Sequence, residues 1–85
     1  MWMVYFLKSD TKDWYYVGST NDLDRRLREH NSGKVRSTKA HMPLRAVYRR
    51  EFNDELSARL FERKVKGQRL LKESIIRSIK KQFLV

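Results

Sequence analysis

Five residues combine side-chain types that can do chemistry with an expected inward aspect: Tyr5, Tyr16, Arg26, His30 and Glu62. A phenol or an imidazole can move a proton, a guanidinium can grip an oxyanion, and a carboxylate can ligate a hard cation. Each also has a plain structural explanation. Tyr5 and Tyr16 fit as core aromatics with a hydrogen-bonded hydroxyl, and Arg26 fits as a guanidinium reaching solvent from a helix edge. His30 fits as a satisfied, half-buried imidazole, while Glu62 sits three residues after Arg59 and four before Lys66, the spacing of a surface ion pair. There is no Gly-rich phosphate loop, HExxH helix, paired Asp cluster or strong Ser/His/Asp arrangement. The absence of Cys excludes thiolate zinc sites, disulfides and cysteine nucleophiles.

The elements that must position these residues follow from periodicity. Residues 3–7 (MVYFL) and 14–18 (WYYVG) are short β-branched and aromatic runs separated by the polar 8–13, which predicts an antiparallel hairpin. A turn centred between Asp10 and Thr11 sets Tyr5 opposite Tyr16, with both hydroxyls on one sheet face. Residues 21–31 form a predicted helix with Thr20 or Asn21 as N-cap, Asp22 and Asp24 in the first turn, and Gly33 past its end. Leu23 and Leu27 mark its inner face, which turns Arg26 and His30 inward and Arg25 and Arg28 outward, with no adjacent acid evident for Arg26.

Residues 32–43 lack strong periodicity, and 44–52 predict a third strand with Leu44, Ala46 and Tyr48 alternating against Arg45, Val47 and Arg49. A helix from Asn53 or Asp54 to Gly67 carries Glu62, and a last one over about 68–82 turns Leu71, Ile75, Ile76, Ile79 and Phe83 inward. The expectation is a single α+β domain, residues 1–85, with a small three-stranded antiparallel sheet, about three helices and the order β-β-α-β-α-α.

Charge narrows the partner. The chain has 20 Lys and Arg against 10 Asp and Glu, and a net charge of +10 favours a polyanion. Residues 31–50 contain no acid, and Lys34, Arg36, Lys39 and Arg45 in this stretch are candidate phosphate contacts. No apolar run approaches the ~20 residues of a membrane-spanning helix. Met1 leads straight into strand-like sequence, so a cytoplasmic protein without a membrane partner is expected.

Five blocks in order carry a family likeness. They are Tyr5 in the first strand, Tyr16-Val17-Gly18 ending the second, the run 18–27 (GSTNDLDRRL) entering a helix, His30-Asn31-Ser32-Gly33, and 61–67 (FERKVKG). Over residues 3–79 the chain resembles the GIY-YIG nuclease family. It is most similar to the small standalone bacterial members, which are like the N-terminal nuclease domain of the excision-repair endonuclease. Met3-Val4-Tyr5 stands for the first tripeptide, with Met where the family has Gly, and Tyr16-Val17-Gly18 for the second. No Asn follows Glu62 to match the family's late Asn.

The resemblance implies an endonuclease nicking DNA phosphodiesters, structure-directed, in DNA repair or processing, with one Mg²⁺ or Mn²⁺ held by Glu62. Tyr16 would be the general base and Arg26 the cation that stabilises its phenolate and binds the phosphate, because a free phenol with pKa of about 10 stays protonated at neutral pH. Tyr5 would orient the attacking water, and His30, where the family carries His or Tyr, would assist as donor or reserve base. Branched, flapped or nicked DNA is the implied partner, with RNA a further option and a monomer or dimer the implied state. The alternatives are a weakly catalytic or inactive nucleic-acid-binding module of the same fold, and a basic accessory protein binding RNA or a protein. Pure binding, however, does not call for an inward Glu62.

DNA affinity should therefore fall steeply with salt. Charge reversal at Lys34, Arg36 and Lys39 should lower the slope of log affinity against log salt by roughly one unit for each phosphate no longer engaged. A salt titration of wild type against the reversed variant checks this, and equal slopes would assign the stretch to another role.

Overall fold

Residues 1–83 are described in the computed structural model, the side chain of Phe83 excepted. The elements are β1 (Trp2–Ser9), β2 (Tyr15–Thr20), α1 (Leu23–Asn31), a single 3-10 turn (Lys39–His41), β3 (Leu44–Phe52), α2 (Glu55–Gly67) and α3 (Arg69–Phe83). Both pairings are antiparallel and the sheet order is β2-β1-β3, the α+β arrangement expected. None of the described helices is long and apolar enough to cross a membrane.

β1 is the central strand, and its apolar run is covered on both faces: Val4, Tyr5, Phe6 and Leu7 are all buried. Val4 and Phe6 pack with Val17, Ala58, Val65 and Ile79 under α2 and α3. Tyr5 and Leu7 pack with Leu44 and the half-buried Tyr16, Leu23 and Leu27 under α1. The period-two alternation of β1 thus sends one set of side chains to a pair of helices and the other to a single helix. On α3, Leu71, Ile75 and Ile76 lie against the α2/α3 core and Ile79 enters it, as expected. The expected inward aspect of Phe83 falls outside the described side chains.

Two features of the sheet differ from expectation. Tyr5 pairs with Gly18, and Tyr16 with Leu7, so the hairpin is centred between Thr11 and Lys12. The buried Ser9 sets this turn: its Oγ accepts from the Thr11 amide at 3.2 Å, and its own amide donates to the Trp14 carbonyl at 3.0 Å. A shift of two residues preserves the face, so both phenols still share the α1 side, with ring centroids 6.3 Å apart. In β3, Tyr48 faces Phe6 and Ala46 faces Leu7, which leaves Val47 as the extra residue of a β-bulge. Val47 therefore enters the core while Ala46 is exposed, against the alternation expected from the sequence.

α1 starts later than expected, because Thr20 is the last residue of β2 and its Oγ1 accepts from the Asp22 amide at 3.1 Å. Asp22 is the N-cap, accepting from the Arg25 amide at 3.1 Å, and Gly33 follows the helix with φ of 80°. Asp54 caps α2 through the Ser57 amide at 2.7 Å. Asn31 ties α1 to β3, its amide donating to the Leu44 carbonyl at 2.8 Å and its carbonyl accepting from the Leu44 amide at 2.7 Å.

Asn31→Ala should cost about 1–3 kcal/mol, the penalty for leaving such main-chain groups short of partners. A lower urea midpoint with an unchanged denaturant slope is the expected result. An unchanged midpoint would remove the clamp from the account of stability.

Candidate active site

Tyr5 lies across Gly18, its cross-strand partner. A Cβ at position 18 would stand 2.6 Å from the Tyr5 hydroxyl and 2.9 Å from Tyr16 Cε2, so the glycine is the space that the phenol occupies. The Tyr5 hydroxyl meets His30 Nε2 at 3.0 Å, and His30 Nδ1 meets Thr38 Oγ1 at 2.8 Å. Thr38 donates in turn to the Val35 carbonyl at 3.3 Å. With the Thr38 proton so committed, Nδ1–H donates to Thr38 and Tyr5 donates to Nε2, which satisfies every group in the chain.

Tyr5, His30 and Thr38 are almost entirely buried, so each needs its partner. Burial, reinforced by the Arg26 charge, pushes the His30 imidazole down to about 4. Burial, with Tyr16 nearby, pushes the Tyr5 phenol up to about 12. Both groups are neutral across the physiological range.

Arg26 projects inward from α1 as expected, but its nearest acid is on its own helix. Glu29 Oε1 accepts from Arg26 Nη1 at 3.0 Å, an i,i+3 pair that corrects the expectation of an acid-free environment. This bond chiefly raises the guanidinium pKa and lowers that of Glu29, and the Tyr5 hydroxyl adds a further contact to Arg26.

Glu62 arrives from the opposite face of the sheet. Ser19 follows Gly18 on β2 and points to the α2 side, where its hydroxyl donates to Glu62 Oε1 at 2.5 Å. Lys66 Nζ donates to Oε2 at 2.6 Å, the ion pair that the i,i+4 spacing suggested, and lies 5.7 Å from the Tyr16 ring centroid. Burial works to raise the Glu62 carboxyl, yet the Lys66 and Ser19 hydrogen bonds outweigh it and hold the pKa below the ordinary value. Glu62 is thus a half-buried carboxylate kept charged.

Tyr5, Tyr16, Arg26 and Glu62 line one pocket of about 390 Å³, together with Ser19 and Glu29. A second cavity of about 300 Å³ shares Arg59 and Glu62 with it and adds Arg63 and Lys66. His30 stands behind the pocket, edge-on to the Tyr16 ring at 5.0 Å, and supports Tyr5 from inside. Lys34, Arg36, Lys39 and Arg45 line neither cavity; Arg45 is on β3, the far edge from β2, paired with Asp10 at 3.1 Å. The cations nearest the site are instead Arg25, Arg59, Arg63 and Lys66. Ser19 is signalled by the alternation of β2 and Glu29 by its i,i+3 spacing from Arg26, whereas nothing local in residues 32–43 marks Thr38.

The donor set suits one hard divalent cation. Among the described residues no group of three or more acids and histidines could enclose a metal. Mg²⁺ commonly takes one or two carboxylates and completes its shell with water and phosphate, which a single charged Glu62 facing an open polar pocket allows.

The fold is a small α+β domain, and its pocket gathers side chains of the kinds that act in phosphodiester chemistry. The chain matches the GIY-YIG catalytic domain over residues 1–73 and belongs to the GIY-YIG family. Over 60 residues it is 42% identical to a UPF0213 protein of Streptococcus pneumoniae R6, a stretch covering 65% of this chain and 61% of that protein. It is 34% identical over 55 residues to the UPF0213 protein YazA of Bacillus subtilis, covering 64% and 54% respectively. The matched stretch thus spans about three-fifths or less of these two relatives. The solution NMR structure of a UPF0213 protein of Bacillus halodurans superposes with a TM-score of 0.54 at 34% identity, covering 89% of this chain and 83% of that one.

The lowered His30 pKa makes stability depend on pH. Between about 6.5 and about 4 the unfolded chain binds a proton that the native imidazole refuses, so stability should fall as pH decreases through this window. Denaturation midpoints from pH 7 to 4 should show the loss, and His30→Gln should flatten it. An equal slope in the variant would assign the pH dependence to other groups.

Proposed function

We propose that the protein is a divalent-metal-dependent endonuclease that nicks DNA, directed by strand structure such as a branch, flap or nick, and serves DNA repair or processing. The observation that carries this is the convergence of Tyr5, Tyr16, Arg26 and Glu62 on one pocket. Such a pocket supplies proton transfer, oxyanion binding and cation ligation together, which phosphodiester hydrolysis requires and simple binding does not. The family membership and the net charge of +10 support it.

Glu62 would hold one Mg²⁺ or Mn²⁺, which when bound compensates charge on the phosphoryl group. The remaining work falls to the chain. Tyr5, with its pKa raised to about 12, stays protonated and orients water rather than accepting its proton. Tyr16 is then the general base on the pocket wall. Arg26, in contact with Glu29 and Tyr5, presents an always-charged guanidinium to the phosphate. His30, buried and neutral, holds Tyr5 in place. Arg25, Arg59 and Arg63 at the pocket and its neighbouring cavity draw in the strand.

Supercoiled plasmid and branched DNA incubated with Mg²⁺, Mn²⁺ or chelator test the proposal. Nicking should require the metal, Tyr16→Phe should lose roughly 100-fold or more, the scale of a catalytic proton-transfer group, and Glu62→Ala should lose the metal-stimulated cleavage. DNA affinity of Glu62→Ala should be unchanged or slightly higher, since a negative charge is removed. Full activity in Glu62→Ala would overturn the role of the carboxylate, and wild type that binds DNA without cutting any of these substrates would make the domain a binding module.

A further inference from the structure

Lys66 takes no part in the proposed chemistry, yet its position is unusual for an i,i+4 partner. Such pairs ordinarily face solvent and contribute little. Here the carboxylate is the one that faces the pocket, and the Glu62 side chain is 18% exposed against 48% for Lys66. The ammonium covers Oε2 and lies by the Tyr16 ring, while the Ser19 hydroxyl holds Oε1. A dication and an ammonium on one carboxylate repel each other, so a bound metal weakens the hold of Oε2 on Lys66 and favours its departure. Lys66 is the group built to leave, with a flexible four-carbon stem, a half-exposed head and an ion pair of modest strength. Lys66 already lines a cavity with Arg59 and Arg63, where a strand phosphate would supply a replacement anion.

We propose that Lys66 is an exchangeable occupant of the Glu62 carboxylate, yielding it to a divalent cation and then pairing with a phosphate of the bound strand. This rests on the metal role given to Glu62 above. An empty Glu62 is thereby neutralised by the protein itself, and loading the metal turns the same lysine into a substrate contact.

Mn²⁺ binding to the whole protein, followed by electron paramagnetic resonance without DNA at fixed ionic strength, tests it directly. Lys66→Met should tighten Mn²⁺ binding by roughly two- to five-fold, the size an ion pair of this exposure supports, while Lys66→Arg should stay near wild type and Glu62→Gln should lose binding. In cleavage assays Lys66→Met should reach half its maximal rate at lower Mn²⁺, and its DNA affinity should depend less on salt by roughly one unit of log–log slope. If Lys66→Met bound Mn²⁺ no more tightly than wild type while Glu62→Gln bound none, Lys66 would be a mere support for Glu62 and the metal role would stand. Wild-type binding in Glu62→Gln would overturn both.

Discussion

A phenol buried at the middle of the central strand must find its hydrogen bond inside the protein, and most of the site follows from how Tyr5 does so. An unpaired buried hydroxyl costs about 1–3 kcal/mol, a large part of the stability of a domain this small. His30 meets the need from α1, and Thr38 then meets the need of His30 from the connection to β3. One chain of polar atoms thus fixes the rotation of α1 and the path of the aperiodic segment after it. The same rotation of α1 delivers Arg26 to the pocket, one turn before His30.

The second organising fact is that the pocket lies at the edge of the sheet. α1 and α2 cover opposite faces, so side chains from the two helices could not meet through the middle of the sheet. β2 is an edge strand, and its alternation sends Tyr16 to the α1 side and Ser19 to the α2 side, three residues apart. Around this rim α2 reaches with Glu62 and Lys66 to the neighbourhood of Tyr16. A carboxylate from one layer and a guanidinium from the other are thereby brought to one cavity.

Much of this is readable from the sequence because two periods carry it. Continuous apolar runs locate β1 and β2 and alternation locates β3, and although the hairpin register expected from the sequence differs from the observed one by two residues, the face of each phenol survives because two is the period of a strand. The bulge at Val47 is not readable: Arg45 to Arg49 is compatible with plain alternation, and only the pull of the α2/α3 core on a valine decides otherwise. The inward turn of Arg26 follows from helical rotation, and Glu29, a helical turn away, stands at a spacing that marks it as the partner although apolar periodicity does not. Thr38 is a tertiary partner with no local pattern. The cations at the site are obscured for a related reason, since Arg25, Arg59, Arg63 and Lys66 are spread over two helices and form no contiguous run, unlike residues 34–45.

Gly18 and Tyr5 belong to different strands but occupy a single volume. A methyl group at 18 requires the ring at 5 to stand elsewhere, and moving that ring breaks its bond to His30. A smaller residue at 5 leaves an unfilled space over the glycine and an imidazole without its partner. Neither position is free to drift alone, so variation in this domain should treat the tyrosine of the first strand and the glycine of the second as one inherited unit, exchanged together or kept together.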